Sequence, residues 1–242
     1  MKRVLTLFTA LLLFTACNKT DHGDTNLHIT GTVKGLKQGK LYIQRVSDTS
    51  LVIMDSIIIN GNSNFESHLK LDSPEMLYLF LDRGQTKSID NSLPFFAEAG
   101  DMTIETTNDD FFAKAKITGS ENHKLYENFL KMKSRFTNNK LDLIKKNVKA
   151  IQDNNTIQID SINTQMEHLI KRRYLFTANY AVTNAKYELS PYLALSEIHD
   201  ANVIYLDTIQ NSMSPEVAKS HYGEMLTKYI SERKEEEANS VK

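Results

Sequence analysis

The chain has 242 residues, of which 40% are apolar and 24% charged, with nine Gly and four Pro. Such a composition belongs to a folded protein with length for one large domain or two small ones, and it excludes a disordered or membrane-embedded chain. A formal net charge of −1 excludes a global electrostatic pull toward nucleic acid or an anionic bilayer.

The first residues read as an export signal. Met1-Lys2-Arg3 is a positive n-region, Val4 to Phe14 is an apolar h-region, and Thr15-Ala16 are small. The apolar run is too short to cross about 30 Å of hydrocarbon, so it is not expected to be a stable transmembrane helix. Leu13-Phe14-Thr15-Ala16-Cys17 resembles the bacterial lipobox, with Phe14 where Leu is usual. The resemblance implies that residues 1–16 are removed and that the Cys17 thiol is acylated to become the mature N-terminus. It also implies a cell-envelope protein held to the inner or outer membrane by the lipid on Cys17, facing the periplasm or displayed at the surface. Two or three acyl chains on one residue anchor a protein stably, whereas one holds it only marginally. Cys17 is the single cysteine, so the mature fold is expected to have no disulfide, Cys-x-x-Cys centre, Cys nucleophile or cysteine zinc site.

Residues 17–26 read as the lipidated Cys and a polar tether, NKTDHGDTN following Cys17. From Leu27 to Gly119 apolar residues recur with period two, which predicts strands over Leu27–Val33, Leu41–Val46, Leu51–Ile59 and Asn64–Leu71. Met76–Leu81, Phe95–Ala99, Met102–Thr106 and Lys114–Thr118 complete the set. About eight short strands separated by turn residues suggest an antiparallel β-sandwich or partly open barrel over 27–119.

After Gly119 the periodicity changes to that of helices. Ser120 can cap a helix whose apolar stripe is Leu125, Phe129, Met132 and Phe136, continued by Leu141, Ile144, Val148 and Ile151. Gln152-Asp153-Asn154-Asn155 makes a polar turn, and Ile159, Ile162, Met166 and Leu169 begin a second long helix through Ala181. Ser190-Pro191 and Ser214-Pro215 each predict a further start, with Ser as cap and Pro at the first helical position. The last helix is expected to fray at Lys234-Glu235-Glu236-Glu237. The fold class is therefore α+β: a β-rich domain over 27–119 followed by a helical domain over 120–242.

Candidate chemistry is sparse. The seven His are scattered without a pairing such as His-x-x-x-His, so no metal site and no cofactor is expected. In Glu197-Ile198-His199-Asp200 the imidazole points away from the two acids if the segment is helical. Glu98 with Asp101, and Asp109-Asp110, could supply paired carboxylates, but adjacent strand residues face opposite ways and Asn108-Asp109-Asp110 reads as a turn. Gly61-Asn62-Ser63-Asn64 reads as a hairpin turn, and no nucleophile elbow, phosphate loop or Rossmann fingerprint is present. Lys131, Lys133, Arg135, Lys140, Lys145, Lys146 and Lys149 form a basic stripe opposed only by Asp142. It reads as a solvated helix face, and no aromatic interleaving suggests base stacking, so no nucleic-acid partner is expected. The absence of Trp lowers the case for glycan binding.

Ile29-Thr30-Gly31-Thr32-Val33-Lys34-Gly35-Leu36 and Gly39-Lys40-Leu41-Tyr42-Ile43 resemble the opening of an uncharacterised β-domain. That domain precedes the thioredoxin-like domain in many bacterial envelope thiol–disulfide oxidoreductases. Pro94 to Asp101, Ile117-Thr118-Gly119-Ser120 and the helical segment with Ser190-Pro191-Tyr192 extend the likeness over nearly the whole mature chain. The thioredoxin-like domain of those proteins would follow the last helix, where this sequence stops, so the resemblance carries no redox activity onto any residue here. Two functions are expected from this reading. The first is a non-catalytic binding or scaffold lipoprotein for an envelope protein, peptide or glycan. The second is an accessory module that docks onto a separate thioredoxin-like oxidoreductase.

Overall fold

The computed structural model describes residues 23–47, 50–84 and 89–240. Cys17, the signal segment and most of the tether lie outside these residues. Eight strands come first: β1 (Leu27–Lys34), β2 (Gln38–Ser47), β3 (Ser50–Asn60), β4 (Asn64–Leu69), β5 (Glu75–Asp82), β6 (Ser92–Ala97), β7 (Gly100–Thr107) and β8 (Lys116–Thr118). They form two four-stranded sheets, in the order β4-β1-β7-β8 and β3-β2-β5-β6. A sandwich is thus what forms, and one of its pairs, β1 with β7, is parallel. Alternating burial sets which face of a strand is inside, but both directions of pairing satisfy it.

The turn at Gly61 is not a ladder hairpin. β3 pairs with β2 and β4 with β1, so the chain passes there from the second sheet to the first. The Gly61 amide is held by the Lys37 carbonyl at 2.8 Å.

Leu27, Ile29 and Val33 of β1 interdigitate with Leu41, Ile43, Leu77, Leu79, Leu81 and Phe95 of the second sheet. Gly31 interrupts the inward row of β1. A Cβ there would run into the Phe65 ring and the Ile104 carbonyl, so the glycine lets the cross-strand phenylalanine lie over the backbone. Strands β5 and β6 are buried on both faces: Leu77 and Phe95 enter the sandwich while Met76 and Phe96 pack under the helices. That is why residues 76–81 and 95–97 are continuous apolar runs and not the period-two alternation expected there.

Six helices follow: α1 (Glu121–Gln152), α2 (Thr156–Thr183), α3 (Leu189–Glu197), α4 (Val203–Ser212), α5 (Pro215–Ala218) and α6 (His221–Ser240). Ser120 accepts the His123 amide at 2.9 Å and caps α1 as expected. Other boundaries differ from the sequence expectation. Ser190 lies inside α3, because the Leu189 amide is taken by Asn122 Oδ1 of α1 at 2.9 Å. A cap donated by another helix replaces the local one. Helix α4, for which no start was expected, is capped by Asn202, whose side-chain oxygen accepts the Ile204 amide at 3.0 Å. Ser214-Pro215 does start a helix, but it breaks after four residues. The chain then turns back so tightly that a Cβ on Gly223 would meet the Val217 carbonyl. The last helix continues to Ser240, with Arg233–Glu237 and Lys234–Asp207 ion pairs along the stretch expected to fray.

The α1 stripe also divides. Leu125, Phe129 and Phe136 are packed, but Leu141, Ile144, Val148 and Ile151 are exposed, and Leu143 and Ala150 face α2 instead. Among the described residues no helix is long and apolar enough to cross a membrane.

Candidate functional site

The helices pack on the second sheet around Met76, Tyr78 and Phe96. Met76 and Phe96 are directly opposed in the β5–β6 ladder, and both amides point out of it. The Phe96 amide is received by His123 Nδ1 at 3.2 Å, and the Met76 amide by the Tyr222 hydroxyl at 3.0 Å. Side chains of α1 and α6 thus satisfy two buried ladder donors that would otherwise be costly to leave unpaired. Burial holds the His123 pKa down to about 4. The imidazole is therefore neutral near pH 7, its Nδ1 lone pair free to accept and its proton on Nε2.

The Tyr222 contact marks the place where β2 leaves β5. The β2–β5 ladder ends at Arg45–Leu77, while β2 runs on to Ser47 paired only with β3. Among the described residues Val46 and Ser47 have no ladder partner on their β5-facing side, although β5 itself runs on to Glu75. This edge opens into a cleft of about 970 Å³ between the second sheet and α6. Tyr78, Tyr192, Tyr222 and Tyr229 supply its aromatic walls. Tyr192 and Tyr222 meet edge to face at 5.1 Å, and both pack against Phe96. Burial raises the pKa of the Tyr78, Tyr192 and Tyr222 hydroxyls. Next to them burial pushes Tyr126 up to about 12, so the hydroxyls of this cluster keep their protons.

The cleft is acidic on balance. Asp72, Glu75, Glu224 and Glu232 face Arg45, Lys228 and the His221 imidazole. Glu75 is mostly covered, and burial raises its pKa despite Arg45 at 3.9 Å. The arrangement offers flat apolar faces, an unpaired strand edge and surplus negative charge.

A second cluster lies on the outer face of the first sheet, the face the helices leave open. His28 of β1 is directly opposite His68 of β4, and Glu66 is two residues from His68 on the same face. The imidazole rings are parallel within 1°, with centroids 4.4 Å apart. His28 Nε2 and His68 Nε2 approach one Glu66 oxygen at 2.8 and 3.1 Å, and His28 Nδ1 lies 3.1 Å from Asp101 of β7. Hydrogen bonds from His28 and then His68 lower the Glu66 pKa. Among the described residues, His28, Glu66 and His68 have ligand atoms all within 4.8 Å of one another. This group has no helical His spacing, because its two imidazoles come from paired strands. Its signal was the Glu66-x-His68 alternation on a strand, and strand pairing supplied the third residue.

The other candidates separate. Glu98 caps α1, accepting from the Ser120 hydroxyl at 2.9 Å and the Asn122 amide at 3.1 Å, while Asp101 faces His28. Asp110 lies in the turn after β7 and pairs with Lys114 at 2.6 Å. Glu197 bonds Lys133 at 2.7 Å and Asp200 receives the Tyr174 hydroxyl, so the acids flanking His199 are spent elsewhere. Of the basic stripe, Lys133 is thus engaged by α3, and Lys145 pairs with Asp142 at 3.6 Å.

Fold and site together define a β-sandwich with a helical cap and a cleft at their junction. Residues 27–126 match a family described as a domain of unknown function (DUF4369). The match takes in all eight strands and the start of α1, and so includes His123 and its contact with the sheet. No curated protein and no solved structure matches the chain.

Proposed function

We propose that this protein is a non-catalytic binding module of the bacterial envelope, tethered by lipid on Cys17, whose ligand is an extended basic peptide segment of a partner protein. The observation that carries the reading is the free β2 edge at Val46 and Ser47 opening into the acidic, tyrosine-walled cleft. An extended chain can add backbone hydrogen bonds to such an edge while its alternate side chains meet the tyrosine faces. The four carboxylates, against Arg45, Lys228 and the His221 imidazole, favour a basic segment and steer its approach.

Fluorescence anisotropy with labelled decapeptides of alternating basic and apolar residues tests this. Binding is expected to weaken about tenfold or more in Glu224→Lys/Glu232→Lys, and to fall as salt rises. Equal affinity for acidic peptides, indifference to the double reversal, or retention of oligosaccharides in place of peptides would overturn it. Membrane fractionation with Cys17→Ala checks the anchor separately, since the wild type is expected in the membrane pellet and the variant in the soluble fraction.

A second reading rests on the resemblance of the opening strands, Ile29 to Leu36 and Gly39 to Ile43: the module docks onto a separate thioredoxin-like oxidoreductase. Recovery of such a protein by crosslinking through a photoreactive residue at position 225, inside the cleft, would favour that partner.

A further inference from the structure

We propose that the outer face of the first sheet carries a divalent transition-metal site, of the kind filled by zinc, with His28 Nε2, His68 Nε2 and a Glu66 carboxylate oxygen as ligands. Both imidazole nitrogens converge on one carboxylate oxygen, at 2.8 and 3.1 Å. These two nitrogens and the carboxylate oxygen are all metal-ligating atoms, and they lie within 4.8 Å of one another. A metal satisfies both imidazoles and the carboxylate at once.

The frame is suited to it. His28 and His68 are opposite residues of hydrogen-bonded strands, so their spacing is set by the sheet and little side-chain freedom is lost on binding. Asp101, from the neighbouring strand on the other side, holds His28 Nδ1, the carboxylate–histidine support that fixes ring orientation and raises ligand basicity at metal centres. Glu66 has a side chain 60% exposed, which leaves it room to swing back and admit an ion. Two imidazoles and one carboxylate favour zinc, copper or nickel over calcium or magnesium, which take oxygen ligands. Three protein ligands leave a position open to water or an external donor.

The test is zinc titration against a chromophoric chelator, using the full chain with Cys17→Ser so that no thiol competes. The expected result is one zinc per chain. His28→Ala and His68→Ala are expected to weaken binding by more than the about 10–100-fold typical of losing an outer-shell partner, and Asp101→Asn by about tenfold. His199→Ala is expected to leave it unchanged. Cobalt substitution adds a second readout: a visible d–d spectrum that His68→Ala removes. Circular dichroism checks that each variant folds, and Glu66→Gln, changed at an exposed position, stands in should the His variants unfold. Failure of the wild type to take up zinc, or unchanged affinity in His28→Ala/His68→Ala or Glu66→Gln, would overturn the site. Peptide binding in the cleft is read independently, so either proposal can fail alone.

Discussion

The two halves of α1 are one continuous helix in two environments. In the first half, Leu125 and Phe129 lie against Phe96 of the second sheet and against α2 and α3, and Phe129 stacks on Phe176 at 5.8 Å. In the second half only α2 is alongside, and the buried set shrinks to Leu143, Ala150, Ile162 and Leu169. The same apolar residue types are core at one end and surface at the other. The first-half stripe continues in sevens from Phe136 to Leu143 and Ala150. Leu141, Ile144, Val148 and Ile151 form a second stripe displaced around the helix, because each residue advances the azimuth by about 100°. Asn147, with a buried and unpartnered Oδ1, sits near the α2 seam and weakens it further. An apolar stripe thus marks a core face only where a second layer exists to cover it.

That contrast can be broken at three strengths. Phe129→Ala removes a ring that is 1% exposed, and a loss of about 3–5 kcal/mol is expected from denaturant unfolding. The next effect belongs to His123, in the first turn. Its folded pKa of about 4 lies below the ordinary 6.5, so the unfolded chain binds the proton first as pH falls. The stabilisation is complete above about pH 6.5 and is lost down to about pH 4, on the order of 3 kcal/mol in total. Unfolding midpoints across that window are expected to show the slope, and His123→Gln is expected to flatten it. The smallest effect is in the distal half: Val148→Ser, at a residue 50% exposed, is expected to change stability by no more than about 0.5 kcal/mol. A loss there comparable with that at Phe129 would show that the distal stripe is covered in solution, and analytical ultracentrifugation would then report the assembly.

Much of the molecule was legible in the residues themselves. Most strand positions followed from alternation, and Ser120 and Ser214 announced helix starts because their caps are local. Ser190 misled because its helix is capped from a distance by Asn122. The metal-ligand group was invisible for a similar reason: Glu66 and His68 are two apart on a strand, but His28 joins them only through the β1–β4 register. The cleft had no linear signature, since β2, β5, α3 and α6 each contribute part of it.

By itself the sequence determined the order of strands and helices, the inward faces of the sandwich strands and the expectation of a lipid anchor at Cys17, because periodicity, capping and leader composition all act over a few neighbouring residues. Only the tertiary structure decided the parallel β1–β7 pair, the passage between sheets at Gly61, the face of α1 left bare and the meeting of His28 with Glu66 and His68. Those outcomes depend on which segments lie side by side, and burial patterns constrain the face a residue shows without naming the neighbour it meets.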